Sequence, residues 1–139
     1  MNKEPLISIL MNCFNGERYL KHAINSVLLQ SYKNWELIFW DNQSSDNSSE
    51  IIKSYKHPKF NYFYSPTHTH LGKARELALK KTNGDWIGFL DCDDIWNKNK
   101  LKYQYKFMKK HKAEISHTDY KIIDDKNKFL SVRKSNKII

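Results

Sequence analysis

Apolar and polar positions change period along this chain in a regular way. Leu6-Ile7-Ser8-Ile9-Leu10-Met11 is a short apolar run of strand length. After Asn15-Gly16, the residues Tyr19, Leu20, Ala23, Ile24, Val27 and Leu28 recur at helical spacing. Trp35 to Trp40 predicts a second strand, and Phe60 to Tyr64 a third. Between them, Asn47 followed by Glu50 has the spacing of a capping box, with Ile51, Ile52 and Tyr55 on one helical face. Ala74, Leu77, Ala78 and Lys81 predict a helix that Asn83-Gly84 would stop. Trp86 to Leu90 is a fourth apolar strand, and Asn97 would cap a helix whose buried stripe is Leu101, Tyr105 and Met108. Ile115 to Ile123 and Phe129 to Val132, separated by Asp124-Asp125-Lys126-Asn127-Lys128, read as a hairpin. The chain closes on the apolar Ile138-Ile139.

This alternation of strand and helix predicts an α/β fold: a mostly parallel sheet with helices on both faces, ending in a β-hairpin. The near-continuous apolar character of the first, second and fourth strands suits a sheet covered on both sides. Ligands of such sheets bind just beyond the carboxyl ends of the strands. Asn12 to Asn15, Asp41 to Asp46 and Asp91 to Asp94 all fall there, although they are far apart in the chain.

Bulk properties narrow the picture. With 139 residues, 40% hydrophobic and 14% aromatic, the chain suits one packed domain over 1–139. No apolar run reaches the roughly 20 residues of a membrane helix. The opening MNKEPLISIL is too short an apolar segment for a secretory signal, so the expected compartment is the cytoplasm. Cys13 and Cys92 cannot build a disulfide framework and are expected as free thiols. The net charge of +9 suits anionic partners such as nucleic acid, phosphorylated small molecules or an acidic membrane face. Scattered lysines, however, are more often solvated surface groups.

The chemistry concentrates in "GDWIGFLDCDDIW", residues 84–96, where an apolar run stops at Asp91-Cys92-Asp93-Asp94. Two carboxylates two residues apart in an extended segment point the same way. They can share Mg²⁺ or Mn²⁺ with a diphosphate, and the cation offsets their mutual repulsion. The plainer reading has Asp93 and Asp94 capping a turn with Asp91 solvated. The position at the end of a buried strand favours the metal. His68 and His70, with Cys13 and Cys92, have no recognised zinc spacing, so a loop near the ligand site is the better account of them.

Four stretches, in order, resemble the family 2 glycosyltransferases of the GT-A fold: "ISILMNCFNGERYLKHAINSVLLQSYKNWEL", "IFWDNQSSDNSSEII", "LGKARELALKKTNGDWIGFLDCDD" and "DIWNKNKLKYQ". The resemblance implies an inverting, metal-assisted transfer of sugar from a nucleotide-sugar, with a UDP-sugar expected. The acceptor would be a hydroxyl on a saccharide or lipid-linked molecule of surface polysaccharide or lipopolysaccharide synthesis. It also implies a cytoplasmic setting at the inner face of a bacterial membrane, with peripheral association there and no nucleic-acid partner. Residue by residue, Phe14 stands where an aromatic stacks on the nucleobase, with core packing as its alternative. Asp41 matches the carboxylate that hydrogen-bonds the base. Asp91 and Asp93 match the DxD motif for Mn²⁺ or Mg²⁺ and the diphosphate. Arg75 lies in the matching Ala-Arg pair and suits phosphate oxygens, with a surface ion pair to Glu76 or Asp85 as its alternative. Asp46 is the better candidate for a helix cap than for a nucleotide contact.

The sequence departs from the family pattern at several points. Asp41-Asn42-Gln43-Ser44 replaces the usual Asp-Asp-Gly-Ser, Asn12 a frequent proline and Phe14 a frequent tyrosine. The family's second half, with the acceptor site and a general base, is expected to lie beyond this chain, so 1–139 reads as a donor-binding portion truncated before it. Glu114, Asp119, Asp124 and Asp125 are the remaining downstream carboxylates, and none is assigned as the base. Two other readings compete: a donor-binding remnant without transfer activity, and a basic nucleic-acid-binding module. No RNA-binding signature supports the latter, and core packing accounts for Tyr62, Phe63, Tyr64, Tyr103 and Tyr105.

Overall fold

The computed structural model describes residues 4–134. The closing Ile138-Ile139 lies outside the described residues. The elements follow in the order β1 (Ile7–Cys13), α1 (Glu17–Leu28), β2 (Trp35–Asp41), α2 (Ser48–Ser54), β3 (Phe60–Tyr64), α3 (Leu71–Leu79), β4 (Trp86–Phe89), α4 (Lys100–His111), β5 (Tyr120–Ile123) and β6 (Phe129–Arg133). The chain divides into two compact units, Met1–Lys102 and Tyr103–Ile139.

In the first unit four strands form one parallel sheet in the order β3-β2-β1-β4. All seven residues of β1 are buried, as a central strand covered on both faces requires. Alternation along the pleat sends Leu10 and Asn12 to one face and Ile9, Met11 and Cys13 to the other. On the first face Leu10 and Trp40 pack against Ala74 and Ala78 of α3, with Phe63 and Leu77 at the margin. The alanines let α3 approach closely. α1 buries the stripe Leu20, Ala23, Ile24 and Val27. That stripe follows the i, i+3, i+4, i+7 spacing read from the sequence.

β4 differs from the expectation of a strand covered on both sides. Among the described residues it pairs with β1 alone, and its side chains alternate between half-buried and exposed, with Ile87 37% and Phe89 49% exposed. An apolar run of four residues cannot distinguish an edge strand from a central one. Three local stop and start signals also act otherwise than expected. α3 ends at Leu79, four residues before Asn83. Asn83 and Gly84 instead dock on the sheet: the Asn83 N–H donates to Glu36 Oε1 at 2.7 Å and the Gly84 N–H to Ser8 Oγ at 2.8 Å. A Cβ on Gly84 would lie 2.5 Å from the Ser8 backbone nitrogen, so close approach is what demands glycine there. The Asn47–Glu50 capping box does not form. The Asn47 side chain makes no cap bond, and its N–H and Nδ2 both donate to Glu17 Oε2, at 2.9 and 2.7 Å. Asn97 closes a turn ahead of α4: its carbonyl accepts the Lys100 N–H and its Oδ1 the Asn99 N–H.

In the second unit β5 and β6 pair antiparallel, as a hairpin requires. β5 begins at Tyr120, so Ile115 to Asp119 precede the strand rather than belong to it. Asp124 Oδ1 accepts the Lys126 and Lys128 N–H groups, and Asn127 takes a φ of 61°. Asp124 is thus a turn residue, and asparagine tolerates the left-handed conformation. Among the described residues, no helix is long and apolar enough to cross a membrane.

Candidate functional site

The carboxyl ends of β1, β2 and β4 bring the polar loops together. The register sets Cys13 beside Asp41 and Leu10 beside Phe89, so the segments after them emerge along one edge. Asn15 takes a φ of 51° in the first loop, which lets its Oδ1 accept the Ser45 N–H at 2.8 Å from the second. The Asn15 and Gly16 N–H groups donate back to Ser44 Oγ and Ser48 Oγ, both at 3.0 Å. Asp46 then ties two helix starts: Oδ2 accepts the Glu17 N–H of α1 at 2.9 Å, and Oδ1 the Ser48 N–H of α2 at 3.0 Å. Burial raises its pKa, but the hydrogen bonds from Ser48 and Glu17 outweigh burial and hold it below the usual carboxylate value. The capping reading of Asp46 therefore stands, although the cap spans two helices.

Asp41 is fully buried at the end of β2. Its Oδ1 accepts the Ser44 N–H at 2.7 Å and its Oδ2 the Tyr62 hydroxyl at 2.8 Å. Burial, together with this bond and the Asp41 charge, pushes the Tyr62 phenol far above its ordinary pKa. Asn42, in place of the second carboxylate of the family pattern, organises the loop before α3. Its Oδ1 accepts the Thr69 N–H at 3.2 Å, its Nδ2 donates to the Thr69 carbonyl at 2.6 Å, and its carbonyl lies 2.9 Å from His68 Nδ1. Gln43 stands at a φ of 68°, where the family pattern has glycine, and its Nε2 donates to the Pro66 carbonyl at 2.9 Å.

Between these loops and α3 lies a cleft of about 270 Å³, lined chiefly by Asn12, Phe14, Asn42, His68, His70 and Leu71. Phe14 is 51% exposed, with the His68 ring 4.4 Å away and tilted by 55°. Half its surface is thus open to a ligand, which a core residue would not offer. Asp41, Arg75, Asp91 and Asp93 do not line this cleft.

The acidic segment after β4 is not extended. The Asp94 N–H donates to the Asp91 carbonyl at 3.0 Å, which closes a turn, so strand alternation does not align Asp91 with Asp93. Arg75 Nη2 donates to Asp91 Oδ1 at 2.7 Å. Its partner is thus neither Glu76, which pairs with Lys73 and Lys80, nor Asp85, whose Oδ2 accepts the Leu6 N–H. Burial and the charges of Asp93 and Asp91 push the Asp94 pKa up. Burial is the larger cause and the neighbouring carboxylates add to it; carboxylate oxygens as a class suit a hard divalent ion. Among the described residues, no group of three or more His, Cys, Asp or Glu side chains could hold a metal.

Two features of the site give no signal in the sequence. Cys13 and Cys92 are free thiols, as the sequence predicts, but their proximity is not legible there: a Cβ on Gly16 would meet each sulfur at 2.8 Å. Contact with Cys13, then burial, raises the Cys92 pKa. Gln30, fully buried at the end of α1, anchors the segment beyond the acidic turn. Its Nε2 donates to the Ser26 and Asn97 carbonyls at 3.0 and 2.8 Å, and its Oε1 accepts the Leu101 N–H at 3.2 Å. Ser26 Oγ accepts the Trp96 N–H at 3.1 Å.

A parallel sheet that gathers acidic and aromatic loops at its carboxyl edge, followed by a hairpin, defines a GT-A-type α/β protein. The chain belongs to glycosyl transferase family 2, whose model matches residues 8–138. It is 41% identical over 137 residues to an uncharacterized glycosyltransferase of Haemophilus influenzae, covering 96% of this chain and 55% of that protein. It is 36% identical to the Escherichia coli protein WfgD, named as a UDP-Glc:alpha-D-GlcNAc-diphosphoundecaprenol beta-1,3-glucosyltransferase, over 93% of this chain and 52% of that one. The chain thus spans about half the length of these two relatives. Among solved structures, S. aureus TarS 1-349 superposes with a TM-score of 0.72 at 28% identity, over 76% of this chain and 33% of that one. TarS has also been crystallised with UDP and with UDP-GlcNAc.

Proposed function

We propose that this chain is the donor-binding portion of a glycosyltransferase that takes a UDP-sugar and serves surface polysaccharide or lipopolysaccharide synthesis. The observation that carries the reading is the half-open Phe14 ring at a cleft on the same sheet edge as the Asp91–Asp94 turn. One end offers an aromatic face to a base, and the other offers carboxylates and a guanidinium to a metal-bound diphosphate. The E. coli relative is named for UDP-glucose, and TarS has been crystallised with UDP-GlcNAc, which supports a uridine donor here.

In this reading Phe14 stacks on the base and Asp41 supports the base end of the cleft through Ser44 and Tyr62. Asp91 and Asp93 hold Mn²⁺ or Mg²⁺, and Arg75 orients Asp91 and faces phosphate oxygens. When bound, the ion neutralises charge that builds on the departing diphosphate. In an inverting transfer the acceptor hydroxyl oxygen bonds to the anomeric carbon as the carbon–oxygen bond to the diphosphate breaks. The hydroxyl proton passes to a base. Asp124 is committed to its turn, and none of the downstream carboxylates is assigned that role. The acceptor is a hydroxyl of a saccharide or lipid-linked molecule, reached at the cytoplasmic face of the membrane.

Calorimetric titration of UDP, UDP-glucose and UDP-GlcNAc, with and without Mn²⁺, tests the reading. Binding that strengthens with Mn²⁺ in the wild type and loses that dependence in Asp93→Ala is the expected result. Equal Mn²⁺-dependent binding by the variant removes the metal role. The absence of any nucleotide binding by the wild type overturns the donor reading itself.

A further inference from the structure

Resting on that reading, we propose that Cys13 and Cys92 form a reversible disulfide that ties the end of β1 to the acidic turn and weakens metal-dependent donor binding. They are the only two cysteines of the chain and lie far apart in it. A Cβ placed on Gly16 would lie 2.8 Å from each sulfur, so the sulfurs are separated by at most twice that distance. They are also hydrogen-bonded to each other, and the Phe14 N–H, one residue past Cys13, donates to Cys92 Sγ. Glycine at position 16 keeps the space beside both thiols open, because any side chain there would be forced against them. Thiols already in contact reach the roughly 2.05 Å of a disulfide by side-chain rotation and a small shift of the turn.

Cys92 is half-buried, so a solute as small as hydrogen peroxide reaches it from solvent, whereas Cys13 is 2% exposed and is met through its partner. The Cys92 sulfur attacks one peroxide oxygen, the O–O bond breaks, and the thiol hydrogen leaves with the other oxygen as water. The Cys13 sulfur then bonds to the Cys92 sulfenic sulfur as the S–O bond breaks, and that hydroxyl leaves with the Cys13 hydrogen as a second water. The two electrons lost by the thiols are those gained by the peroxide, and a dithiol reductant returns them. The hydrogen bond from Cys92 is the largest influence on Cys13. With those from Ser48, Gly16 and Ser44 it outweighs burial and lowers the Cys13 pKa, which suits this sulfur to the second attack. Cys92 stands between Asp91 and Asp93. Arg75 holds Asp91 at 2.7 Å, and the Asp94 N–H closes the turn on the Asp91 carbonyl. Drawing Cys92 onto Cys13 turns the flanking carboxylates against these restraints and spoils their shared approach to one cation.

The full chain is treated with hydrogen peroxide, then with dithiothreitol, alongside Cys13→Ser and Cys92→Ser. Thiol titration, intact mass, non-reducing peptide mapping and circular dichroism follow each step, and calorimetry measures UDP binding with Mn²⁺. The expected product is a folded monomer without free thiols, two hydrogens lighter, with Cys13 and Cys92 in one cross-linked peptide. It binds UDP roughly tenfold more weakly than the reduced protein, and dithiothreitol restores both thiols and affinity. In each single variant the oxidised and reduced samples bind UDP alike. A dimer linked through Cys92, or sulfinic acid without the cross-link, overturns the disulfide. A cross-linked, folded monomer with unchanged UDP affinity overturns the effect on binding and leaves the donor reading intact. No UDP binding by the reduced wild type overturns the donor reading and the effect on binding together, and the cross-link is still decided by mass.

Discussion

Removing one oxygen from Tyr62 tests whether Asp41 is held as a charged, buried strut. In Tyr62→Phe the ring stays and only the hydroxyl that donates to Asp41 Oδ2 at 2.8 Å is lost. Water cannot replace it without opening the site, because Asp41 is fully buried. A hydrogen bond to an ionised group contributes about 1.5–3 kcal/mol, so a loss of about 2 kcal/mol is expected. That corresponds to roughly a thirtyfold shift in the folding equilibrium. Urea titration at neutral pH measures it, and a double-mutant cycle with Asp41→Asn isolates the pair. The cycle is expected to show coupling of about 1 kcal/mol or more, since the two residues are in direct contact. Tyr62→Phe within about 0.5 kcal/mol of the wild type, or strictly additive effects, would refute the picture of a buried carboxylate dependent on this hydroxyl.

Asp46→Asn is expected to lower stability at pH 6 by about 1 kcal/mol, because the charged cap on two helix starts is lost. The folded-state pKa of Asp46 is depressed, so its contribution is present above the unfolded value and fades as pH falls through the folded one. Urea midpoints of variant and wild type should therefore converge toward pH 3, and a gap independent of pH would contradict the cap. Gln30→Leu leaves the Leu101 N–H without its side-chain acceptor and takes a donor from the Asn97 carbonyl, which keeps only the Lys100 N–H, and this is expected to cost about 2 kcal/mol. Hydrogen exchange should quicken at Leu101 before it does in β1, and unchanged protection there would remove Gln30 as the anchor of that segment.

Local periodicity was enough to place the strands and helices. Leu20, Ala23, Ile24 and Val27 lie where helical spacing puts them, and the apolar run from Ile7 ends as a buried strand. Such patterns depend on neighbours a few residues apart, and they are readable without knowing the fold. The candidate site was legible only as a set of loops: Phe14, Asp41 and Asp91 stand at strand ends because strand ends are locally visible. What each side chain touches was decided by tertiary structure. Arg75 meets Asp91, Gln30 meets Asn97, and Asp46 caps a helix that begins at Glu17. The same applies to the edge position that leaves Ile87 and Phe89 exposed, and to the Asn12 amide that no neighbour satisfies. These outcomes depend on which strands become neighbours and in what register, and they join residues 16 to 67 positions apart. No hydrophobic period carries that information, because a strand reads the same at the edge of a sheet as at its centre until its partners are known.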